Sequence, residues 1–121
     1  YCAVTVDDRD TWLPTMRHVA LEGRCFVVSA CQYLTRGDCP ADYAANYGDD
    51  PNAVLIRGGS CIVGPLGQVL AGPVFGEEAV LVADLDPADI PRARFDFDPI
   101  GHYARPDVFK LVVNEARQTA V

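Results

Sequence analysis

The feature that most constrains this chain is a change of hydrophobic spacing within its first segment. Tyr1 to Val6 is a short β-branched and apolar run, closed by the charged cluster Asp7, Asp8, Arg9 and Asp10. From Thr11 the apolar residues fall at Trp12, Leu13, Met16, Val19 and Ala20, one stripe of a 3.6-residue helix. Cys25 to Cys31 (Cys-Phe-Val-Val-Ser-Ala-Cys) is again a continuous strand-like run. The spacing predicts a helix over 11–22, with Asp10 or Thr11 accepting from its first N–H groups, Pro14 tolerated in the first turn and Gly23 as a left-handed stop. A strand, a helix of this length and a second strand make a right-handed βαβ unit, so the two strands are expected to be parallel.

The rest of the chain must extend that unit. Residues 32–53 carry Gly37, Pro40, Gly48 and Pro51 among polar residues and read as a long loop, in which Tyr33, Tyr43 and Tyr47 suit an interface element. Val54 to Leu70 reads as a hairpin, with strands at 59–63 and 68–70 around the turn Gly64-Pro65-Leu66-Gly67. A strand is expected over 78–85, a short helix from Asp86-Pro87 to Phe95, and a weaker strand over 108–113. The result is an α/β class with a mixed sheet of about five or six strands and one long helix. One helix cannot cover both faces of such a sheet, so the other face is expected to find a partner.

Composition removes several function classes. With 121 residues, half of them hydrophobic and 22% charged, the chain suits one globular domain. Ten Lys and Arg against seventeen Asp and Glu leave a net charge of -7, with the basic residues scattered singly, so no nucleic-acid partner is expected. No apolar run approaches the roughly twenty residues of a membrane span. The five cysteines are odd in number and without CxxC spacing, and neither they nor His18 and His102 have zinc spacing. Reduced thiols, a cytoplasmic location, no metal and no cofactor are therefore expected. The chain opens on Tyr1 and its single Met is Met16, inside the helix, so further chain is expected upstream.

Four segments carry a resemblance: Asp8-Arg9-Asp10-Thr11-Trp12, Met16 to Val28, Gly58-Gly59-Ser60-Cys61-Ile62-Val63-Gly64-Pro65-Leu66-Gly67, and Asp98-Pro99-Ile100-Gly101-His102-Tyr103-Ala104-Arg105-Pro106-Asp107. In this order they resemble the C-terminal half of a nitrilase, downstream of its catalytic cysteine. The helix–strand and Gly-Gly-Ser segments are similar to the wider carbon-nitrogen hydrolase superfamily, and the Gly-His-Tyr-Ala-Arg-Pro-Asp segment to its nitrilase branch. The resemblance implies half of a four-layer αββα sandwich, with residues 1–121 the C-terminal portion of one domain, and homo-oligomers, dimers or spirals, formed through helices. It also implies a Glu-Lys-Cys site acting on a nitrile through a thioimidate. That site is expected upstream of Tyr1, in a Cys-Trp-Glu context that this chain does not contain. The N-terminal half of the same enzyme is thus the expected partner, and the isolated segment is expected to be inactive.

Candidate site residues follow from the ends of the strands, where α/β sheets expose functional groups. Thr5, Val6 and Trp12 lie at or just after the end of the first strand, on the loop that the family uses as a pocket wall. Cys31, Gln32 and Tyr33 end the second. For Cys31 the plain alternative is a strand-end thiol without chemistry, and for Trp12 it is packing. His102, beside Arg105 and Asp107, is a possible support for the site or a structural tie. His18 lies opposite the apolar stripe, a surface or interface position, and the i,i+4 pairs on this part of the helix are Arg17 with Leu21 and His18 with Glu22. Other readings are a cyanide hydrolase, an amidase or carbamoylase of the same superfamily, and a non-catalytic structural or interaction module.

Overall fold

The computed structural model describes residues 1–3, 10–42 and 48–117. Its strands are β1 (Cys2–Ala3), β2 (Val27–Cys31), β3 (Tyr33–Thr35), β4 (Val54–Val63) and β5 (Val69–Phe75), and its helices α1 (Trp12–Gly23) and α2 (Asp89–Arg94). As the spacing predicts, α1 joins two parallel strands: Cys2 sits opposite Ala30 and Ala3 opposite Cys31. Every other strand pair is antiparallel. The rest of the expected first strand, including Thr5 and Val6, lies outside the described residues.

The long strand β4 is shared. On one edge Val27 pairs with Val63 and Ser29 with Cys61. The same register continues past Gln32 to Tyr33 opposite Arg57 and Leu34 opposite Ile56, so β3 prolongs the line of β2. The start of the expected 32–53 loop is therefore sheet, hidden from sequence reading because three residues show no period of their own. On its other edge β4 pairs with β5, from Val63 opposite Val69 to Gly58 opposite Phe75. This hairpin is longer at both ends than 59–63 and 68–70, and its turn is closed by Gly67 N–H donating to Gly64 O at 2.9 Å.

Helix α1 covers one face of this sheet. Met16 and Ala20 are fully buried against Val27, Cys61 and Val63, with Trp12, Leu13, Val19 and Cys25 packed round them. Arg17 Nε donates to Gly67 O at 2.9 Å, tying the helix to the hairpin turn. The outer side of the helix is polar, and His18 Nε2 lies 3.1 Å from Glu22. The other face of the sheet is open at Val28, which is 56% exposed. No helix among the described residues is long and apolar enough to cross a membrane.

Both expected caps of α1 are corrected. Thr11 makes no side-chain cap, its backbone being already in the helical region (φ -96, ψ -23) rather than in the extended one that a capping residue adopts. Thr15 Oγ1 instead donates to Thr11 O at 2.8 Å, and Asp10 pairs with Arg57 at 3.1 Å. The left-handed residue is Arg24 (φ 48), not Gly23. A side chain resists this conformation. Arg24 is held there by burial, with its guanidinium 3.6 Å from Asp96 and 5.3 Å from the centre of the Phe97 ring.

Two expected strands are absent from the sheet. Residues 78–85 run outside any ladder, with Val80 91% and Val82 81% exposed and Leu81 half-buried. β-Propensity alone makes no strand without a partner, and neighbouring β5 carries Pro73, which has no N–H to offer. Residues 108–113 are exposed throughout, beyond any neighbouring strand among the described residues. The short helix begins at Asp89 rather than Pro87, because Asp86 Oδ1 accepts from Ala88 N–H at 2.9 Å and forms a turn before it.

The contact of α1 with β4 is expected to dominate stability. In the full-length protein, Met16→Ala should lower the urea midpoint by the equivalent of about 2–5 kcal/mol, while Leu21→Ala on the outer face should change it by about 0.5 kcal/mol or less.

Candidate functional site

Where β2 gives way to β3, the sheet borders a cavity of about 610 Å³. Cys31, Gln32 and Tyr33 form one wall, Gly58 and Ser60 of β4 with Val74 of β5 the floor, and residues 77–80 the opposite side. Gln32 interrupts the strand, and such a break would leave backbone groups of Cys31 without partners. Ser60 supplies them: its hydroxyl accepts from Cys31 N–H at 2.9 Å and donates to Cys31 O at 3.1 Å.

The floor depends on glycine. Gly58 has φ +94, and a Cβ there would lie 2.8 Å from Val74 O, so only glycine lets β5 approach so closely. At Gly59 (φ +111) a Cβ would meet the edge of the Phe75 ring at 3.0 Å. That ring in turn carries the Arg57 guanidinium 4.6 Å from its centre.

Behind the wall, Trp12 Nε1 donates to Ser29 Oγ at 2.9 Å, and Ser29 Oγ lies 3.9 Å from Cys31 Sγ. Cys61, on the same sheet face, is fully buried. Burial pushes its thiol above the ordinary range, and the neighbouring Cys31 adds to this. Below the wall a one-turn helix over Arg36–Asp38 anchors β3. Asp38 Oδ2 accepts from both Thr35 Oγ1 and Thr35 N–H at 2.7 Å, and these bonds, the hydroxyl first, hold its carboxyl below the ordinary value of 3.8.

The structure thus brings Cys31, Gln32 and Tyr33 to one cavity and places Trp12 behind it through Ser29. Thr5 and Val6 fall outside the described residues. His102 and Arg105 do not line the cavity. The His102 ring lies tilted by 45° against Tyr103 with ring centres 4.6 Å apart, and Arg105 forms a two-point pair with Asp107 at 2.8 and 2.6 Å, in an exposed turn. Sequence reading gave no site role to Ser29, which shows no motif beyond its place in the strand, to Ser60, noted only as part of the Gly-Gly-Ser segment, or to Glu77 and Glu78, which follow the turn at Gly76 (φ +80). No Lys or His lies among the lining residues, and the carboxylates of Glu77 and Glu78 are the bases the cavity holds. With a thiol, a hydroxyl and an amide among the same residues, the lining can shape and polarise a ligand.

A sheet edge with a thiol, a hydroxyl and an amide round a cavity, built on a βαβ unit, is joined here by direct similarity. The chain belongs to the carbon-nitrogen hydrolase family, whose family model matches residues 8–95. Over its whole length it is similar to an aliphatic nitrilase of Sinorhizobium fredii, 65% identical over 121 residues that make up 39% of that protein. It is 62% identical to a nitrilase of Bradyrhizobium diazoefficiens over 121 residues, 38% of that protein. Against an arylacetonitrilase of Trametes versicolor it is 52% identical over 122 residues, covering 99% of this chain and 38% of that protein. The chain therefore spans less than two fifths of the length of each of these relatives.

Two outcomes are expected from the site. In native full-length protein at neutral pH, iodoacetamide should label Cys31, which borders the cavity, and leave Cys61 unlabelled until the fold is opened, as read by peptide mass mapping. The Asp38 carboxyl should titrate by NMR below 3.8. Because its folded value is depressed, the turn it holds should be intact above that range and loosen as pH falls through the depressed value, with the Thr35 amide shift following the same curve.

Proposed function

We propose that these residues form part of a nitrilase that hydrolyses a nitrile to a carboxylic acid and ammonia. The observation that carries this is 65% identity along the entire chain to an aliphatic nitrilase. The Cys, Glu and Lys of the reaction lie in chain outside residues 1–121, which supply pocket walls at Cys31, Gln32 and Tyr33, with Trp12, Thr5 and Val6 beside them. The exposed polar side of α1 provides oligomer contacts, and the face open at Val28 packs on the remainder of the enzyme as half of a four-layer αββα sandwich.

In this reading the thiolate attacks the nitrile carbon and the nitrogen takes a proton delivered through the Glu, giving a thioimidate. The Lys stabilises the charge developing on nitrogen. Water adds, ammonia leaves, and a second water cleaves the thioester to the acid and regenerates the thiol. The cavity's mixed lining, with Val74, Ala79 and Val80 beside Gln32 and Ser60, suits a small organic group with one polar end.

The relatives' names point to nitriles on a saturated carbon, aliphatic in one case and arylacetonitrile in another. The full-length enzyme is therefore expected to release ammonia from propionitrile and phenylacetonitrile at least about tenfold faster than from benzonitrile, by a colorimetric ammonia assay. Residues 1–121 alone should release none. Turnover by the isolated segment would overturn the placement of the catalytic groups, and a preference for amides or cyanide would move the enzyme to another branch of the family.

A further inference from the structure

The register of the sheet decides which side chains the cavity receives. β2 and β3 meet β4 in one register, with Ser29 opposite Cys61 before the break and Tyr33 opposite Arg57 after it, so the alternation of side chains carries through Gln32. Cys31 and Tyr33 then fall with Ser29 and Cys61 on the side that α1 covers. Gln32 falls with Val28 and Ala30 on the other side, opposite Gly58 and diagonal to Ser60, and all three of these β2-line residues are exposed. Gly58 offers no side chain there, and Val74 O, 2.8 Å from where a Cβ would stand, keeps the position bare. A hydroxyl carries one hydrogen, and that of Ser60 goes to Cys31 O. The ionised carboxylates of Glu77 and Glu78 can only accept. The carboxamide of Gln32 is therefore the side-chain N–H donor that the register turns to the cavity, beside the apolar Val74, Ala79 and Val80.

We propose that Gln32 is a specificity-determining residue: its carboxamide N–H donates to a neutral oxygen in the side group of the substrate, so that this cavity takes nitriles bearing an ether, carbonyl or hydroxyl oxygen. The inference rests on the reading of the chain as part of a nitrilase. In that reading the thiolate, Glu and Lys lie outside residues 1–121 and hold the nitrile carbon, so the walls described here face the remainder of the substrate. A neutral oxygen fits this lining better than a charged one. A carboxylate would also accept from Gln32, but it would meet the like charges of Glu77 and Glu78 on the same cavity. An alkyl chain in the same place would leave the amide without its acceptor, which favours oxygen over methylene by the worth of one hydrogen bond. The Ser60 clamp on Cys31 fixes the main chain next to Gln32, so the amide is offered from a held root.

The test compares 3-methoxypropionitrile with pentanenitrile in the full-length enzyme, two nitriles that differ by an ether oxygen in place of a methylene. Gln32→Met keeps the length of the side chain without its donor, and Gln32→Leu removes the donor in a shorter, branched form. Each should lower the ratio of kcat/KM for the ether over the alkane about fivefold, by ammonia release. The loss should appear as a raised KM for the ether, with kcat within about twofold, because the bond is made equally in the bound substrate and the transition state. Gln32 is exposed, so these changes leave the core intact; should one variant not fold, the other decides by the same ratio. A merely structural Gln32 predicts equal losses on both nitriles, and a ratio unchanged from that of the unaltered enzyme overturns the proposal while nitrile hydrolysis itself stands. Failure of the unaltered enzyme to hydrolyse either nitrile overturns the underlying reading, and the proposal with it.

Discussion

Everything described here hangs on the backbone ladder of β4. It bonds to β2 and β3 along one edge and to β5 along the other, so a single ten-residue strand fixes the register of four-fifths of the sheet. Its side chains then divide the work by period. Cys61 and Val63 point to α1 and form the core with Met16 and Ala20, while Gly58 and Ser60 point the other way and shape the cavity. A slip of one residue would exchange these faces, burying the serine and exposing the core. Packing against α1 and tight closure of the Gly64 to Gly67 turn therefore protect the site as well as the fold.

Much of the architecture is legible in the sequence because it follows local periods. The stripe from Trp12 to Ala20 and the run from Cys25 to Cys31 give the parallel unit, and Gly64-Pro65-Leu66-Gly67 gives the hairpin. Features set by distant contacts are not legible. Arg24 adopts the left-handed conformation suggested for Gly23 because Asp96 and Phe97 hold its side chain, residues more than seventy positions away. Tyr33 to Thr35 form a strand only because β4 extends beyond the hairpin to meet them. Conversely, residues 78–85 and 108–113 are expected as strands but have no neighbour in the described sheet, and composition cannot supply one.

The site follows the same rule. Cys31, Gln32 and Tyr33 are found by the position of a strand end, a local property. The two serines are found only in three dimensions, because one hydroxyl reaches a residue 29 positions away and the other is reached by an indole 17 positions away. Glu77 and Glu78 arrive by a turn after β5. The thiol content, which is the most conspicuous chemical feature of the composition, splits by environment: Cys61 is sealed in the core with its proton held, and Cys31 stands at a border.

The clamp of Ser60 on both peptide groups of Cys31 bears on what the cavity would offer a ligand. A strand that breaks at Gln32 would ordinarily behave as a hinge, and a hinge at a pocket mouth adapts to whatever enters. Here the break loses no hydrogen bond, since a side chain stands in for the missing rung. The corner is tied at both peptide groups of Cys31 before anything binds, so a ligand held in this cavity would meet a fixed outline rather than a yielding one.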